Sequence, residues 1–331
     1  MRAVVLVGGF GTRLRPLTLT TPKPMLPVGH RPILEWVVEH LGRHGVTEAV
    51  LSLGFKPEPF MEAYPTAEYA GVRLTYAVEP EPLDTAGAIA FAANFAGIDD
   101  TFVVVNGDVL SDVDLTSLVS FHRERGAEAT LHLIGVDDPS AFGVVPTKSD
   151  GRVEAFIEKP PKDTAPTNQI NAGTYVLEPS VIGRIPGGRK VSIERETFPL
   201  LVADGTLYAQ SSAGYWLDTG RPDQYLQANL DVLDGRRANQ TAVAPIGVGA
   251  VVEGSVAHSI IGAGAHVAAG AVVIDSVLLP GAHVGAGARL ERTICGPHSR
   301  TAEGSVLADC VLGAAATADG SRSSERIPTV A

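Results

Sequence analysis

The stretch AVVLVGGFGTRLRPLTLTTPKP, residues 3–24, decides how the chain is read. Ala3–Val7 is a short apolar run of the kind that forms a buried strand, and it enters the glycine-dense turn Gly8-Gly9-Phe10-Gly11. A turn without side chains lets backbone N–H groups approach phosphate oxygens closely, and a helix start beyond it favours negative charge. Thr12 and Arg13 close the turn, and Lys23 follows between two prolines. Two cations beside such a turn suit a polyphosphate and the charge that develops when it is cleaved. The expectation is a nucleoside triphosphate site.

Two familiar glycine motifs fit this segment poorly. A P-loop needs Lys-Ser/Thr directly after its last glycine, where Thr12-Arg13 stands here. The dinucleotide fingerprint needs a small residue three positions after Gly11, where Leu14 stands. Further along, apolar runs alternate with helical patterns, which predicts stacked βαβ units. Ala3–Val7, Ala49–Leu53, Arg73–Ala77, Thr101–Val105 and Ala129–Val136 read as strands, and two further apolar stretches, Val153–Glu158 and Ala172–Leu177, bracket a loop containing Pro, Lys and Asp. Ile33–Gly45, Ala86–Phe95 and Leu115–Arg125 read as helices. The fold class is therefore α/β, a Rossmann-like, mostly parallel sheet, with ligands beyond the C-terminal strand ends. Asn106-Gly107-Asp108 falls at such an end, and Asp108 is the leading metal-ligand candidate; Asp112 and Asp114 read as loop or helix-cap residues.

After Arg236 the composition shifts to Gly, Ala and Val. Segments beginning at Ser259, Ser276, Thr293 and Cys310 recur at a fixed spacing, with aliphatic residues about every sixth position. That pattern predicts a parallel β-helix of three short faces per coil. The expected domains are 1–236, catalytic; 237–320, the β-helix; and 321–331, a polar, loose tail.

The string G-G-x-G-T-R-L-x-P-L-T…P-K-P resembles the signature of the sugar-1-phosphate nucleotidyltransferases, and further segments carry the resemblance through the chain. Several of them are N-G-D-V, A-F-G-V-V, I-N-A-G-x-Y-V, S-I-E-R-E-x-F-P from Ser192, and Y-W-L-D-x-G from Tyr215. It implies Arg13, Lys23 and Asp108 as catalytic residues. It implies nucleotide contacts from Leu6, Gly8, Gly9, Gly11, Thr12, Arg13, Lys23, Glu79, Thr85, Gly87, Asn106 and Gly107. The sugar phosphate would meet Gly143, Glu158, Lys159 and Asn171, and Asp108 with Asp218 would hold Mg²⁺, a hard cation suited to carboxylates and phosphate oxygens. One departure stands out: Asp84 occupies a place where the family usually has glycine, so a carboxylate must adopt a backbone conformation that glycine tolerates more readily. The implied reaction joins a nucleoside triphosphate, with GTP favoured, to a hexose 1-phosphate, with α-D-mannose 1-phosphate favoured. Glucose 1-phosphate with dTTP or UTP is the alternative, as is a catalytically silent sugar-nucleotide-binding subunit; the latter should have lost Arg13, Lys23 or a metal aspartate. The β-helix resembles the left-handed hexapeptide-repeat domain found at this end of many such enzymes, and implies a homo-oligomer.

The whole chain agrees. At 331 residues, with 45% hydrophobic and 19% charged residues, it suits a large globular domain with a smaller one. A net charge of −11 argues against nucleic acid as a partner while leaving room for a local basic cluster. No apolar run approaches a membrane span, and no charged and apolar leader is evident, so a cytoplasmic location is expected. Cys295 and Cys310 give neither a disulfide framework nor a metal cluster.

Overall fold

The computed structural model describes residues 1–54, 57–238 and 242–329. The chain divides into two compact units: Met1–Gly9 with Glu35–Trp216, and Phe10–Leu34 with Leu217–Ala331. The division cuts through the glycine turn of residues 3–24. The strand and first two glycines belong to the first unit, and the rest of the signature belongs to the second.

The first unit is built on a ten-stranded sheet. Its strands are β1 (Arg2–Leu6), β2 (Glu48–Leu53), β3 (Val72–Val78), β4 (Phe102–Asn106), β5 (Ala129–Gly135), β6 (Gly143–Val144), β7 (Ile157–Glu158), β8 (Gln169–Leu177) and β9 (Leu207–Ser212), with Glu68–Tyr69 at one edge. The order is β7-β6-β8-β4-β1-β2-β3, and β5 pairs with β8 and β9. The block β4-β1-β2-β3 is parallel, and Ala3, Val4, Val5 and every residue of β2 are buried, as strands covered on both faces require. From β4 onward the pairings through β8, β6 and β7 are antiparallel, so the sheet as a whole is mixed. Helix α1 (Ile33–Arg43) begins at the boundary between the units, while α2 (Asp84–Phe95) and α3 (Leu115–Arg125) lie within the first. Ala86, Ala92 and Ala93 of α2 are fully buried with Ile89; small residues let this helix lie close to the sheet. Asp114 caps α3 by accepting from Ser117 N (3.0 Å), and Gly126 ends it at φ 57°. Little of the apolar stretch Val153–Glu158 is strand. Only Ile157–Glu158 is strand, because its neighbour Gly143–Val144 offers two residues to pair with, while Val153 makes an isolated bridge to Thr147.

In the second unit, helix α4 (Pro222–Leu233) precedes three five-stranded parallel sheets, the faces of a β-helix. Val267 pairs with Val284 and Val284 with Thr301; Ile260 pairs with Val277 and Val277 with Ile294. The repeat starts found in the sequence form an interior ladder: Ser276 N donates to Ser259 Oγ (2.9 Å) and Thr293 N to Ser276 Oγ (3.0 Å), each 17 residues apart. Ile261, Leu278, Cys295 and Leu312 stack along another line with no more than 1% exposure. A fully buried aliphatic side chain contributes about 1.5–3 kcal/mol, whereas an exposed ion pair such as Arg292–Asp309 contributes about 0–1 kcal/mol, so the interior stack holds the solenoid together. The strands do not stop at residue 320. Ser321–Ser323 pair with Val306–Ala308, and Arg326–Ile327 with Val311–Leu312, so most of the expected tail is a last coil. Its polar composition hides this because a terminal coil leaves one side without a neighbour to bury. Residues 330–331 of that tail, and 239–241 near the expected domain start, lie outside the described residues.

Candidate active site

Backbone geometry at the end of β1 explains the glycines. A Cβ on Gly8 would lie 3.1 Å from Gly54 N, and one on Gly107 would lie 2.5 Å from Val7 Cγ1. Gly107 N donates to Leu6 O (2.9 Å), locking the turn after β4 to the end of β1. Asn106 packs on Gly173, where a Cβ would fall 2.4 Å from Asn106 Nδ2. Leu6, Gly8, Gly9, Asn106, Gly107 and Asp108 thus gather at the C-terminal ends of adjacent parallel strands.

Glu79 and Thr85, expected at the base, are braced by protein partners. Glu79 is 8% exposed; Ser52 Oγ donates to its Oε1 (2.9 Å) and Leu83 N to its Oε2 (3.0 Å). Thr85 Oγ1 donates to Glu194 Oε2 (2.7 Å) and accepts from Ile193 N (2.9 Å). Ala86 N and Gly87 N both donate to Val191 O, and a Cβ on Gly87 would lie 2.8 Å from Leu83 Cβ. The loop 79–87 is therefore clamped by Ser52 and the 191–194 segment. Those partners were not among the expected site residues, although the S-I-E-R-E string was visible. Asp84 takes φ 62°, the left-handed conformation anticipated for a residue standing in a glycine's place, and its Oδ1 accepts from Thr85 N (2.8 Å).

The expected sugar-phosphate residues lie on the antiparallel side of the sheet. Gly143 sits opposite Glu158, and a Cβ there would be 2.5 Å from Phe156 Cζ and 3.1 Å from Glu158 Oε2. Lys159 takes φ 49°, its N–H donates to Phe142 O (3.0 Å), and its Nζ lies 2.9 Å from Glu158 Oε1. Asn171 Nδ2 donates to Tyr175 OH (2.9 Å), and Gly173 N donates to Asn171 Oδ1 (3.1 Å). Burial first, and the Glu194 charge second, push the Tyr175 phenol well above its ordinary range, so it stays protonated. Trp216 Nε1 donates to Ala172 O (2.9 Å) and its ring meets Phe142 edge-on, a brace that the expectation for Asp218 in the same string passed over.

In the second unit, Gly11 turns at φ 59° and a single 3₁₀ turn, Thr12–Leu14, follows. Thr18 Oγ1 donates to Gly11 O (2.8 Å), and a Cβ on Gly11 would lie 2.9 Å from Thr18 Cγ2. Lys23 is 6% exposed, its Nζ 3.3 Å from Asp218 Oδ1, while Arg13 Nη2 lies 3.8 Å from Asp218 Oδ2. Gly220 makes room for this group, since a Cβ there would be 2.6 Å from Arg13 Nη2. Arg13 and Lys23 both face the Asp218 carboxylate, and cations of this kind suit phosphate.

The chain matches the nucleotidyl transferase family over residues 2–235. The chain belongs to that family. Residues 230–322 match the GlmU-like C-terminal hexapeptide family, in keeping with a left-handed β-helix. Among nucleotidyl transferases it is similar to mannose-1-phosphate guanylyltransferase of Mycobacterium tuberculosis, 47% identical over 70% of this chain and 65% of that protein. It is also similar to mannose-1-phosphate guanyltransferase of Aspergillus fumigatus, 44% identical over 68% of this chain and 62% of that protein. The matches thus span less than two thirds of these relatives' length. Of solved structures, HddC from Yersinia pseudotuberculosis complexed with GMP-PN is 29% identical with a TM-score of 0.60, covering 69% of this chain and 97% of that one.

Among the described residues no group of three or more His, Cys, Asp or Glu could hold a metal by itself. Asp108 and Asp218 are hard oxygen donors, and a magnesium ion bound through phosphates takes only one or two carboxylates. Each is by its own chemistry a fit ligand for such an ion.

Proposed function

We propose that this chain is a mannose-1-phosphate guanylyltransferase, converting GTP and α-D-mannose 1-phosphate to GDP-mannose and pyrophosphate. In that reaction a phosphate oxygen of the sugar forms a bond to the α-phosphorus of GTP. The bond from that phosphorus to the bridging oxygen breaks, and its electron pair leaves with pyrophosphate. No protein nucleophile is needed; catalysis is positioning and charge neutralisation. The observation that carries the reading is the Lys23–Asp218–Arg13 group at the glycine turn, in a chain 47% identical to a protein of this name.

Each residue then has a task. Backbone N–H groups of Gly8, Gly9, Gly11 and Thr12 bind phosphate oxygens. Arg13 neutralises charge on the transferring phosphoryl group, and Lys23 grips the triphosphate. The loop around Glu79, Thr85 and Gly87, with Asn106 and Gly107, receives the nucleoside. Glu158 binds sugar hydroxyls, Asn171 donates to and accepts from them, and Lys159 seats the sugar phosphate beside Gly143. Asp108 and Asp218 would hold Mg²⁺, which when bound supplies further charge neutralisation at the phosphates. A cytoplasmic location and a homo-oligomer, without nucleic-acid or membrane partners, complete the proposal. In support, no helix among the described residues is long and apolar enough to cross a membrane.

Pyrophosphate release measured over a panel of nucleoside triphosphates and hexose 1-phosphates tests this. GTP with mannose 1-phosphate should give the highest kcat/KM. A preference for dTTP or UTP with glucose 1-phosphate above about tenfold, or ~1.4 kcal/mol of transition-state discrimination, overturns the base assignment. Binding without turnover for every pair marks a silent subunit. Asp108→Asn should lower turnover by orders of magnitude with the fold intact; near-normal activity removes it from the metal shell.

A further inference from the structure

We propose that Arg326, in the last coil of the β-helix, is a positioning residue for the loop that carries Arg13. Arg326 Nη1 donates to Arg13 O (2.9 Å) and to Arg15 O (3.2 Å), from a position 313 residues along the chain from Arg13. All these residues lie in the second compact unit. The inference rests on the reading of Arg13 as the group that meets the triphosphate.

The carbonyls involved explain why a cation belongs there. Within the turn Thr12–Leu14, Leu14 N donates to Gly11 O and Arg15 N to Thr12 O. Arg13 O lies at the C-terminal end of the turn, the partly negative pole where helical carbonyls lose their partners, and Arg15 O belongs to the residue that ends it. Arg15 is followed by Pro16, whose nitrogen carries no hydrogen, so the chain supplies no amide there to continue the turn. A guanidinium spanning both oxygens caps the pole with the charge it prefers. It also fixes the Arg13–Leu14 and Arg15–Pro16 peptide planes around the fully buried Leu14, and so the direction in which the Arg13 side chain leaves the turn.

A second contact from the neighbouring coil acts on the same loop. A Cβ added to Gly313 would lie 3.0 Å from Pro16 Cβ, so the solenoid offers a bare backbone for Pro16 to rest on and a cation for the carbonyls beside it. Residue 326 lies beyond the hexapeptide match, which ends at 322, so this contact belongs to the coil that the polar sequence concealed. The β-helix is on this view part of the catalytic apparatus.

The test is steady-state kinetics of full-length Arg326→Ala, Arg326→Lys and Arg322→Ala. Arg322 sits in the same coil but pairs with Asp319 and Glu325, so its loss perturbs the coil without touching the loop carbonyls. Arg326→Ala should lower kcat/KM for the nucleoside triphosphate about tenfold, leaving KM for the sugar phosphate within about twofold, in line with lost hydrogen bonds to a charged donor. Arg326→Lys, which keeps the charge, should recover part of that loss, and Arg322→Ala should match the wild type. Wild-type kinetics in Arg326→Ala overturn the proposal. So does an equal loss toward both substrates, or the same loss in Arg322→Ala. Should Arg326→Ala not fold, Arg326→Lys decides, by a selective or an even effect on the two substrates. Absence of turnover in the wild type would instead sink the reading of the site, and is a distinct result.

Discussion

Lys23 Nζ lies 3.3 Å from Asp218 Oδ1, though 195 residues of chain separate them. The carboxylate comes from the end of the Trp216–Asp218 strand and the ammonium from a buried 3₁₀ turn flanked by prolines. Charge is thereby held beside Gly11 by a lysine that is nearly closed to water and a carboxylate that is partly buried.

That relationship predicts energetic coupling. Lys23→Ala and Asp218→Asn should each cost a hundredfold or more in kcat/KM, about 2.7 kcal/mol. The double variant should cost clearly less than the sum, since residues in contact couple by about 0.5–3 kcal/mol. A double-mutant cycle on pyrophosphate release checks it; strict additivity would contradict a shared site.

Gly143→Ala puts a methyl 2.5 Å from Phe156 Cζ and 3.1 Å from Glu158 Oε2, so the strand pair carrying Glu158 and Lys159 must shift. KM for the sugar phosphate should rise about ten- to a hundredfold, the scale set by small misplacements in a site. KM for the nucleotide should stay near the wild-type value. Substrate titrations of both kinds separate these effects, and a selective change in nucleotide KM would move the strand pair to the other substrate.

Asp84 adopts a left-handed backbone at φ 62° and is steadied by its own bond to Thr85 N. Asp84→Ala removes the bond and keeps the strain, so it should lower stability by about 1 kcal/mol. Asp84→Gly, which accepts this conformation without strain, should stay within about 0.5 kcal/mol of the wild type. Denaturant midpoints distinguish the two; equal losses would mean that the backbone there is not strained.

His132 is 2% exposed and its Nε2 lies 2.7 Å from Ser212 Oγ, and burial depresses its pKa to about 4. A histidine held below its unfolded value of 6.5 favours folding only while neutral. Unfolded chains bind the extra proton first, so stability is full above about pH 6.5 and is lost as pH falls toward 4, by up to ~3 kcal/mol. Burial depresses His122 as well and acts in the same direction, despite the opposing Glu178. Thermal midpoints should therefore drop between pH 7 and 5, and His132→Gln should flatten that slope. An unchanged slope would assign it to other groups.

The local demands of the candidate site could be read, because they are set by residues close in sequence. The glycine turn with Arg13, the Asn106-Gly107-Asp108 strand end and the left-handed demand at Asp84 are local matters, set by backbone sterics within a few residues. What could not be read was partnership. Nothing near Glu79 and Thr85 in sequence shows that their oxygens also meet Ser52, Leu83 and the distant 193–194 segment. How much of the apolar stretch Val153–Glu158 forms strand could not be read for the same reason, since a strand exists only as long as its neighbour does.

The sequence by itself determined the alternation of strands and helices, the glycines at the turn and the period of the solenoid, because these follow from side-chain size and spacing along one segment. Only the tertiary structure decided that Asp218 meets Lys23 and Arg13, and that a polar stretch past residue 320 closes the β-helix and reaches the signature loop. Such contacts depend on where remote backbones come to rest, and hydrogen bonds and ion pairs act over a few ångströms of space irrespective of distance along the chain.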